Sequence, residues 1–228
     1  RVVKGMGIKV EGVAFNGRVC AMAAVTPQLS EQGVILIDLG GGATEYAVYL
    51  NGSLRHSGVL GVGGEHVSND IGVGLKLSHV KSEKLKLDFG SAIPDPNVAG
   101  RTVNYSSEVG LDNKSVRVGH LHQIMNARLD ELFRLIRNDL IHENLLDRIH
   151  GGVLLTGGGA RTPMIDVLGQ QIFDMDVIAV RDLSENGPNN ILDQPEYTTA
   201  IGLVKYGAQQ LNQRSKTGSG LLAWLAGR

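Results

Sequence analysis

Three groups of residues in this chain have the types and spacing for phosphate chemistry. The first is Asp38 followed by Gly40, Gly41 and Gly42, within Val34 to Leu50, VILIDLGGGATEYAVYL. Glycine has no Cβ, so its backbone can bend sharply and approach a ligand closely. Backbone N–H groups in such a turn can point one way and cradle an anion, with phosphate the usual guest. A carboxylate beside a phosphate cradle calls for a cation between them, most simply Mg²⁺ held partly through water, and Asp38 is the candidate. The second group is Gly63-Gly64 ahead of Glu65, two glycines at a helix start, where unpaired N–H groups favour phosphate. The third is Gly157, Gly158 and Gly159, in GGVLLTGGGAR. Each group alone also reads as a tight turn, and a single short glycine motif has many false positives. Two strand–triple-glycine units about 120 residues apart carry more information. A parallel sheet sets such loops at one edge, where ligands bind in open α/β folds. One loop would take phosphates and the other the nucleoside side.

Those loops need strands and helices to hold them. Val34 to Ile37 is an apolar run suited to a strand covered on both faces. A second strand follows the glycines. Asn51-Gly52 then predicts a hairpin turn, because both positions of a type I′ turn need positive φ. The third strand spans Ser53 to Val62 and a helix runs from Gly63 to about Leu75. Upstream, Val10 to Phe15, VEGVAF, reads as a strand. Asn16 to Val25 reads as a helix capped by Asn16, with Cys20 on its apolar side, and Pro27 to Gly33 is a polar connection. From Gly119 to Asn144, Leu121, Met125, Leu129, Leu132, Ile136 and Leu140 recur at helical spacing, the clearest long amphipathic helix. Val153 to Thr156 is a strand, Met164 to Phe173 a helix begun by Pro163, and Val177 to Val180 a strand. Asp182 to Gln194 is a polar loop, and Tyr197 to Gln210 the last body helix. Lys76 to Gly119 differs in character, with Lys76, Lys81, Lys84, Lys86 and short alternating runs around Leu111-Asp112-Asn113. It reads as a small inserted subdomain.

Composition narrows the classes. A formal charge of −1 over 228 residues gives no general attraction to nucleic acid. One cysteine, Cys20, excludes a disulfide framework and fits a reducing compartment. There is neither a secretory signal nor an apolar run long enough to span a bilayer. His120 and His122 point to different sides of a helix, so a shared metal is not expected. The chain starts at Arg1, and Arg1 to Gly7 reads as the end of a helix already under way, so an N-terminal portion is expected upstream.

The segments DLGGGATE, GGEHVSNDI, SEKLK, LLTGGGAR and EYTTAIGLVKYG together resemble the actin/Hsp70 superfamily of ATP-binding proteins. Within it they are most similar to the bacterial cell-division family FtsA, in motif content, order and spacing over nearly the whole chain. The resemblance implies an α/β, actin-like ATPase (RNase H-like) fold with a small inserted α+β subdomain. Residues 1–32 would end a first large domain. Residues 33–75 and 119–194 would form the second, 76–118 the insert, and 195–210 a closing helix. It also implies that Asp38, Gly40, Gly41, Gly42 and Thr44 form a phosphate loop with Mg²⁺ at Asp38. Gly63 and Gly64 would lie near the nucleotide, Glu83 and Lys86 would flank the adenosine, and Gly157, Gly158 and Gly159 would pack on base and ribose. Where FtsA relatives carry Thr and Asp, this chain has Ala43 and Glu45. Thr44-Glu45 is nearer the filament-forming relative MreB, in which the Glu is associated with positioning the attacking water. Glu45 has that role here or else faces solvent. The first phosphate hairpin of the family would lie upstream of Arg1. The 228 residues alone are therefore expected to bind ATP poorly and hydrolyse it negligibly.

The end of the chain has its own character. Residues 211–220 are polar and rich in Gly and Ser, as in a flexible linker. Then Leu221, Leu222 and Leu225 fall on one helical side, beside Trp224 and with Arg228 at the end. This is the composition of an amphipathic helix that lies in a membrane surface; docking on the chain's own body is the alternative. By resemblance the function expected is an ATP-binding scaffold that tethers FtsZ of the Z-ring to the cytoplasmic face of the inner membrane at the division site and self-assembles into protofilaments. The alternatives are a pilus-assembly or MreB-like relative, and less so a sugar kinase or polyphosphatase.

Overall fold

A computed structural model of the chain describes residues 1–106, 113–180 and 194–226, with 105–106, 113–114 and 214–226 described by backbone alone. Its centre is a five-stranded sheet in the order β3-β2-β1-β6-β7. The strands are β1 (Val34–Leu39), β2 (Thr44–Leu50), β3 (Ser53–Leu60), β6 (Val153–Thr156) and β7 (Val177–Ala179). β1, β2 and β3 form an antiparallel meander, whereas β6 and β7 run parallel to β1. The turn between β2 and β3 is the one predicted, with Asn51 at φ 53° and Gly52 at φ 68°. β4 (Thr102–Ser106) and β5 (Asn113–Arg117) form a separate antiparallel hairpin within the segment read as an insert.

Side-chain alternation along β1 sends Ile35, Ile37 and Leu39 to one face and Val34 and Leu36 to the other. The first face packs on α6 (Val118–His142) and α7 (Ile165–Phe173) through Phe133, Ile136, Leu140, Leu168 and Phe173. The helical spacing read from the sequence is the buried stripe of α6, where Leu121, Met125, Leu132, Ile136 and Leu140 are all at most 2% exposed. The second face packs on Cys20, Ala21 and Ala24 of α2 (Asn16–Ala24). α8 (Thr198–Ala226) packs against α2. α4 (Gly64–Leu75) and α5 (His79–Phe89) lie side by side.

On the α6 side, Tyr46 donates a hydrogen bond to Asp139 Oδ2 at 2.6 Å and His56 Nε2 meets the same oxygen at 2.6 Å. Gly58 lies across from Tyr46 in β3, and a side chain there would run into the tyrosine ring. Burial pushes the Asp139 carboxyl up, but the hydrogen bonds from Tyr46 and His56 outweigh it and hold the group below the usual value. A depressed carboxylate stabilises the fold above its unfolded pKa and loses that contribution as pH falls through the folded one. Tyr46→Phe is therefore expected to cost about 1 kcal/mol at neutral pH. Asp139→Asn should cost stability at pH 7 and approach wild type as the pH falls below about 4. Denaturant unfolding at several pH values reads both.

Several expectations are corrected. Residues 10–15 are not a strand: they pair with no neighbour among the described residues, and Val13 is 93% exposed. An apolar, β-branched composition does not make a strand without a partner to bond. Pro27 to Gln32 is not merely a connection but a short helix, α3, capped by the Thr26 hydroxyl accepting from Leu29 N at 3.2 Å. Asn16 does not cap α2; Phe15 holds that position. Pro163 lies just before α7, whose N-cap is Met164. Residues 211–220, read as a linker, continue α8 as helix to Ala226. There intrachain hydrogen bonds outlast the polar composition. Of the tail residues, Leu221, Leu222, Trp224 and Leu225 are described by backbone alone and Arg228 lies outside the described residues, as do residues 181–193, on which most of the expected polar loop falls, and Leu111-Asp112. Among the described residues no helix is long and apolar enough to cross a membrane.

Candidate functional site

The C-terminal ends of β1 and β6 lie side by side, with Asp38 opposite Thr156 in the parallel register. Both glycine triplets follow directly. Gly157 has φ 80°, a conformation with ψ 169° that is essentially reserved for glycine. A Cβ on Gly157 would overlap Asp38 Oδ1 and stand 2.7 Å from the Leu39 carbonyl; one on Gly159 would stand 2.7 Å from Leu39 Cβ. The 157–159 loop thus packs on the end of β1, next to the residue from which the first triplet departs. Gly157 N donates to the Pro195 carbonyl at 3.0 Å and Thr156 Oγ1 donates to the same oxygen at 2.8 Å, which ties the loop to the start of α8.

The third glycine pair closes on the first. Gly64 N donates to Gly40 O at 3.0 Å and Glu65 N to Gly41 O at 2.8 Å. A Cβ on Gly63 would stand 2.5 Å from Gly41 O, so only glycine fits. The first triplet is arranged differently from the third. None of Gly40, Gly41 and Gly42 is at positive φ. Gly40 is tight against Ala43 O at 2.7 Å, while side chains built on Gly41 and Gly42 would enter open space. The same holds for Gly158. The three glycines with room beside them lie on the two loops that meet at Asp38.

Glu83 and Lys86, on α5, join this edge. Lys86 Nζ donates to Gly64 O at 3.0 Å and to Glu83 Oε2 at 2.6 Å, and Ser68 Oγ also donates to Glu83 Oε2. Burial raises the Glu83 carboxyl, but the Lys86 and Ser68 hydrogen bonds outweigh it and hold it below the usual value. A carboxylate–ammonium pair is therefore fixed beside the second loop. Thr44 does not face the gap. It is fully buried, and its hydroxyl donates to Val62 O at 2.8 Å, which staples β2 to the chain entering α4.

Asp38 and Glu45 are cross-strand partners in the antiparallel pair, so both side chains lie on the α2–α8 face. Asn16 Nδ2 donates to Glu45 Oε1 at 2.9 Å, while Glu45 Oε2 is buried and takes no hydrogen bond among the described residues. Thr199 Oγ1 donates to Asp38 Oδ2 at 3.1 Å, and Cys20 Sγ lies 2.7 Å from Thr199 Oγ1 and 3.5 Å from Asp38 Oδ2. Burial pushes the Cys20 thiol up to about 12, opposed by Thr199 and reinforced by the Asp38 and Glu45 charges. Sequence reading found Asp38 and Glu45 but missed Asn16, Cys20 and Thr199 as their partners. Only the Thr doublet at the start of α8 signalled polar side chains there.

The donor set can be tested against Mg²⁺. No group of three or more His, Cys, Asp or Glu among the described residues could hold a metal. Mg²⁺ seldom needs such a cage, since it keeps several waters and takes one or two carboxylates plus substrate phosphates. Asp38 Oδ1 beside the open glycine loops and the orphaned Glu45 Oε2 fit that mode. Asp38 would hold the ion and Glu45 a water, and a bound ion would neutralise phosphate charge.

Known proteins resemble this chain in sequence and in fold. A family model described as cell division protein FtsA matches residues 35–202. Cell division protein FtsA of Pseudomonas aeruginosa is 30% identical over 210 residues, covering 92% of this chain and 50% of that protein. That of Escherichia coli (strain K12) is 27% identical over 216 residues, covering 92% and 51%. The chain thus spans about half the length of these curated relatives. Among solved structures, MreB 5 of Spiroplasma citri bound to AMPPNP matches with TM-score 0.75 at 20% identity, over 95% of this chain and 65% of that one. The PilM–PilN type IV pilus biogenesis complex matches with TM-score 0.64 at 16% identity, over 90% and 55%. The fold is that of the actin-like ATPases, and the chain belongs to the FtsA family of cell division proteins.

Proposed function

We propose that this chain carries one wall of an ATP site in an actin-like cell-division scaffold. The supporting observation is that the 157–159 loop packs on Asp38 and Leu39 while the 63–64 pair packs on Gly40 and Gly41, with space among the described residues beside Gly41, Gly42 and Gly158. Gly40 to Gly42 cradle phosphates, Asp38 holds Mg²⁺ through water, and the 157–159 loop packs on the nucleoside. Glu83 and Lys86 fix the edge of the adenosine pocket. Asn16 aims the Glu45 carboxylate, whose free oxygen orients water; hydrolysis is at most slow. Phosphoryl transfer depends mainly on positioning and charge neutralisation. Nucleotide acts as a conformational ligand that biases self-assembly. The scaffold ties FtsZ, through the 76–118 segment, to the cytoplasmic face of the membrane, and residues 221–228 bind the lipid surface.

Titration of the 228-residue chain with a fluorescent ATP analogue in Mg²⁺ tests the site. Weak, saturable binding displaced by unlabelled ATP is expected, and no displaceable binding would refute it. Vesicle co-sedimentation tests the tail. Partition onto anionic vesicles is expected to disappear when residues 219 to 228 are removed. Partition unaffected by that deletion would remove the membrane role from the tail.

A further inference from the structure

Asp38 is held from behind by two helices that lie far from it in sequence. We propose that Thr199, backed by Cys20, is a positioning residue for the Asp38 carboxylate, setting the orientation in which that carboxylate receives a magnesium–nucleotide. The inference rests on the nucleotide reading above.

Counting hydrogens assigns the roles. An ionised carboxylate only accepts, and a threonine hydroxyl has one hydrogen to give. At 3.1 Å the Thr199 hydroxyl is the closer donor to Asp38 Oδ2, against 3.5 Å for the Cys20 thiol. With the Thr199 hydrogen committed to Asp38, the 2.7 Å contact between Cys20 Sγ and Thr199 Oγ1 is made by the thiol donating to the hydroxyl. The Cys20 thiol is fully buried, where a free cysteine behaves as a small hydrophobe with a weak S–H donor. The chain S–H to O–H to carboxylate takes Oδ2 and leaves Oδ1 on the side of Gly157, toward the loops. Thr199 also lies in the first turn of α8, where the positive end of the helix dipole favours a carboxylate.

The backing is rigid because α2 and α8 touch at backbone distance. A side chain at Gly202, one turn after Thr199, would overlap the Val19 carbonyl. Val19 is the neighbour of Cys20. Any shift in the α2–α8 crossing therefore disturbs the Cys20–Thr199 contact that backs Asp38. A group that only latched the helices would need no partner on the sheet edge. This one ends on the carboxylate that opens onto the phosphate loops.

Outer-shell partners of this kind tune how well a carboxylate binds its ion, and their loss costs 10–100-fold in metal affinity where they orient a direct ligand. Asp38 acts through water, so the low end applies. The experiment measures ATP-analogue affinity of the full chain in Mg²⁺ and in EDTA. Thr199→Val keeps the shape and removes the donor. It is expected to lower the Mg²⁺-dependent gain in affinity about tenfold while leaving EDTA affinity nearly unchanged, and Thr199→Ser is expected to restore the gain. If Thr199→Val lowers the melting temperature strongly, Thr199→Ala is read the same way. Equal losses in Mg²⁺ and EDTA, or a serine variant as poor as valine, would make Thr199 a structural latch and overturn the proposal. Wild-type binding indifferent to Mg²⁺ would overturn it while leaving the nucleotide site standing. No wild-type binding in either condition would remove the nucleotide reading and this inference with it.

Discussion

Gly202→Val is expected to destabilise the chain by about 3 kcal/mol or more, and Gly207→Ala, five residues along the same helix, to stabilise it by up to about 1 kcal/mol. Both positions are helical glycines in a polar-to-apolar sequence, GLVKYGAQQ, and propensity alone assigns them the same sign. The difference is what a Cβ would meet. At Gly207 it meets nothing within 4 Å, so alanine only reduces the freedom of the unfolded chain. At Gly202 it would overlap the Val19 carbonyl, with the Cys20 backbone nitrogen 3.2 Å away. Backbone cannot rotate aside as a side chain can, so α8 must lift from α2. That lift also withdraws Thr199 from Asp38. For a chain of this size the cost corresponds to a melting temperature lower by roughly 6–12 °C. Thermal unfolding of the two variants and wild type decides it, and a Gly202→Val chain melting with wild type would show that the crossing is not tight.

The sequence made legible what depends on local rules. The β2–β3 turn follows from Asn51-Gly52, since few other pairs hold positive φ at both residues. The buried face of α6 follows from apolar residues at helical spacing. The glycine triplets were legible as loops after strands, and the repeat of that unit pointed to a common edge. What escaped depends on partners distant in the chain. Residues 10–15 have a strand-like composition, but among the described residues the sheet ends at β3 and β7 and they pair with neither. Asn16 has the composition of a cap, yet its amide finds Glu45, 29 residues away. Cys20 and Thr199 meet across 179 residues, and no spacing rule reaches that far. Thr44 shows the opposite error. Its place in a phosphate motif suggested a ligand, while its burial commits its hydroxyl to Val62.

The glycines that face open space give the strongest test of where a ligand lies. Gly157→Val would lose binding and fold together, because its φ of 80° and its contact with Asp38 leave no room. Gly158→Val separates the two. No described residue lies within 4 Å of a Cβ there, so the fold should tolerate the side chain. A nucleoside packed on that loop would not. Overpacking a filled site costs about 1–3 kcal/mol, which corresponds to a loss of roughly 10- to 100-fold in affinity. Gly42→Val makes the parallel test on the phosphate side, where a Cβ likewise meets nothing. The expected pattern is two variants with wild-type melting curves and sharply weakened binding of an ATP analogue. The losses should also differ in kind. Replacing ATP with adenosine should remove the Gly42→Val defect, because the phosphates are gone, and keep the Gly158→Val defect. Variants that bind as wild type would mean that the space beside these loops is open solvent, and the ligand would have to be sought elsewhere on the chain.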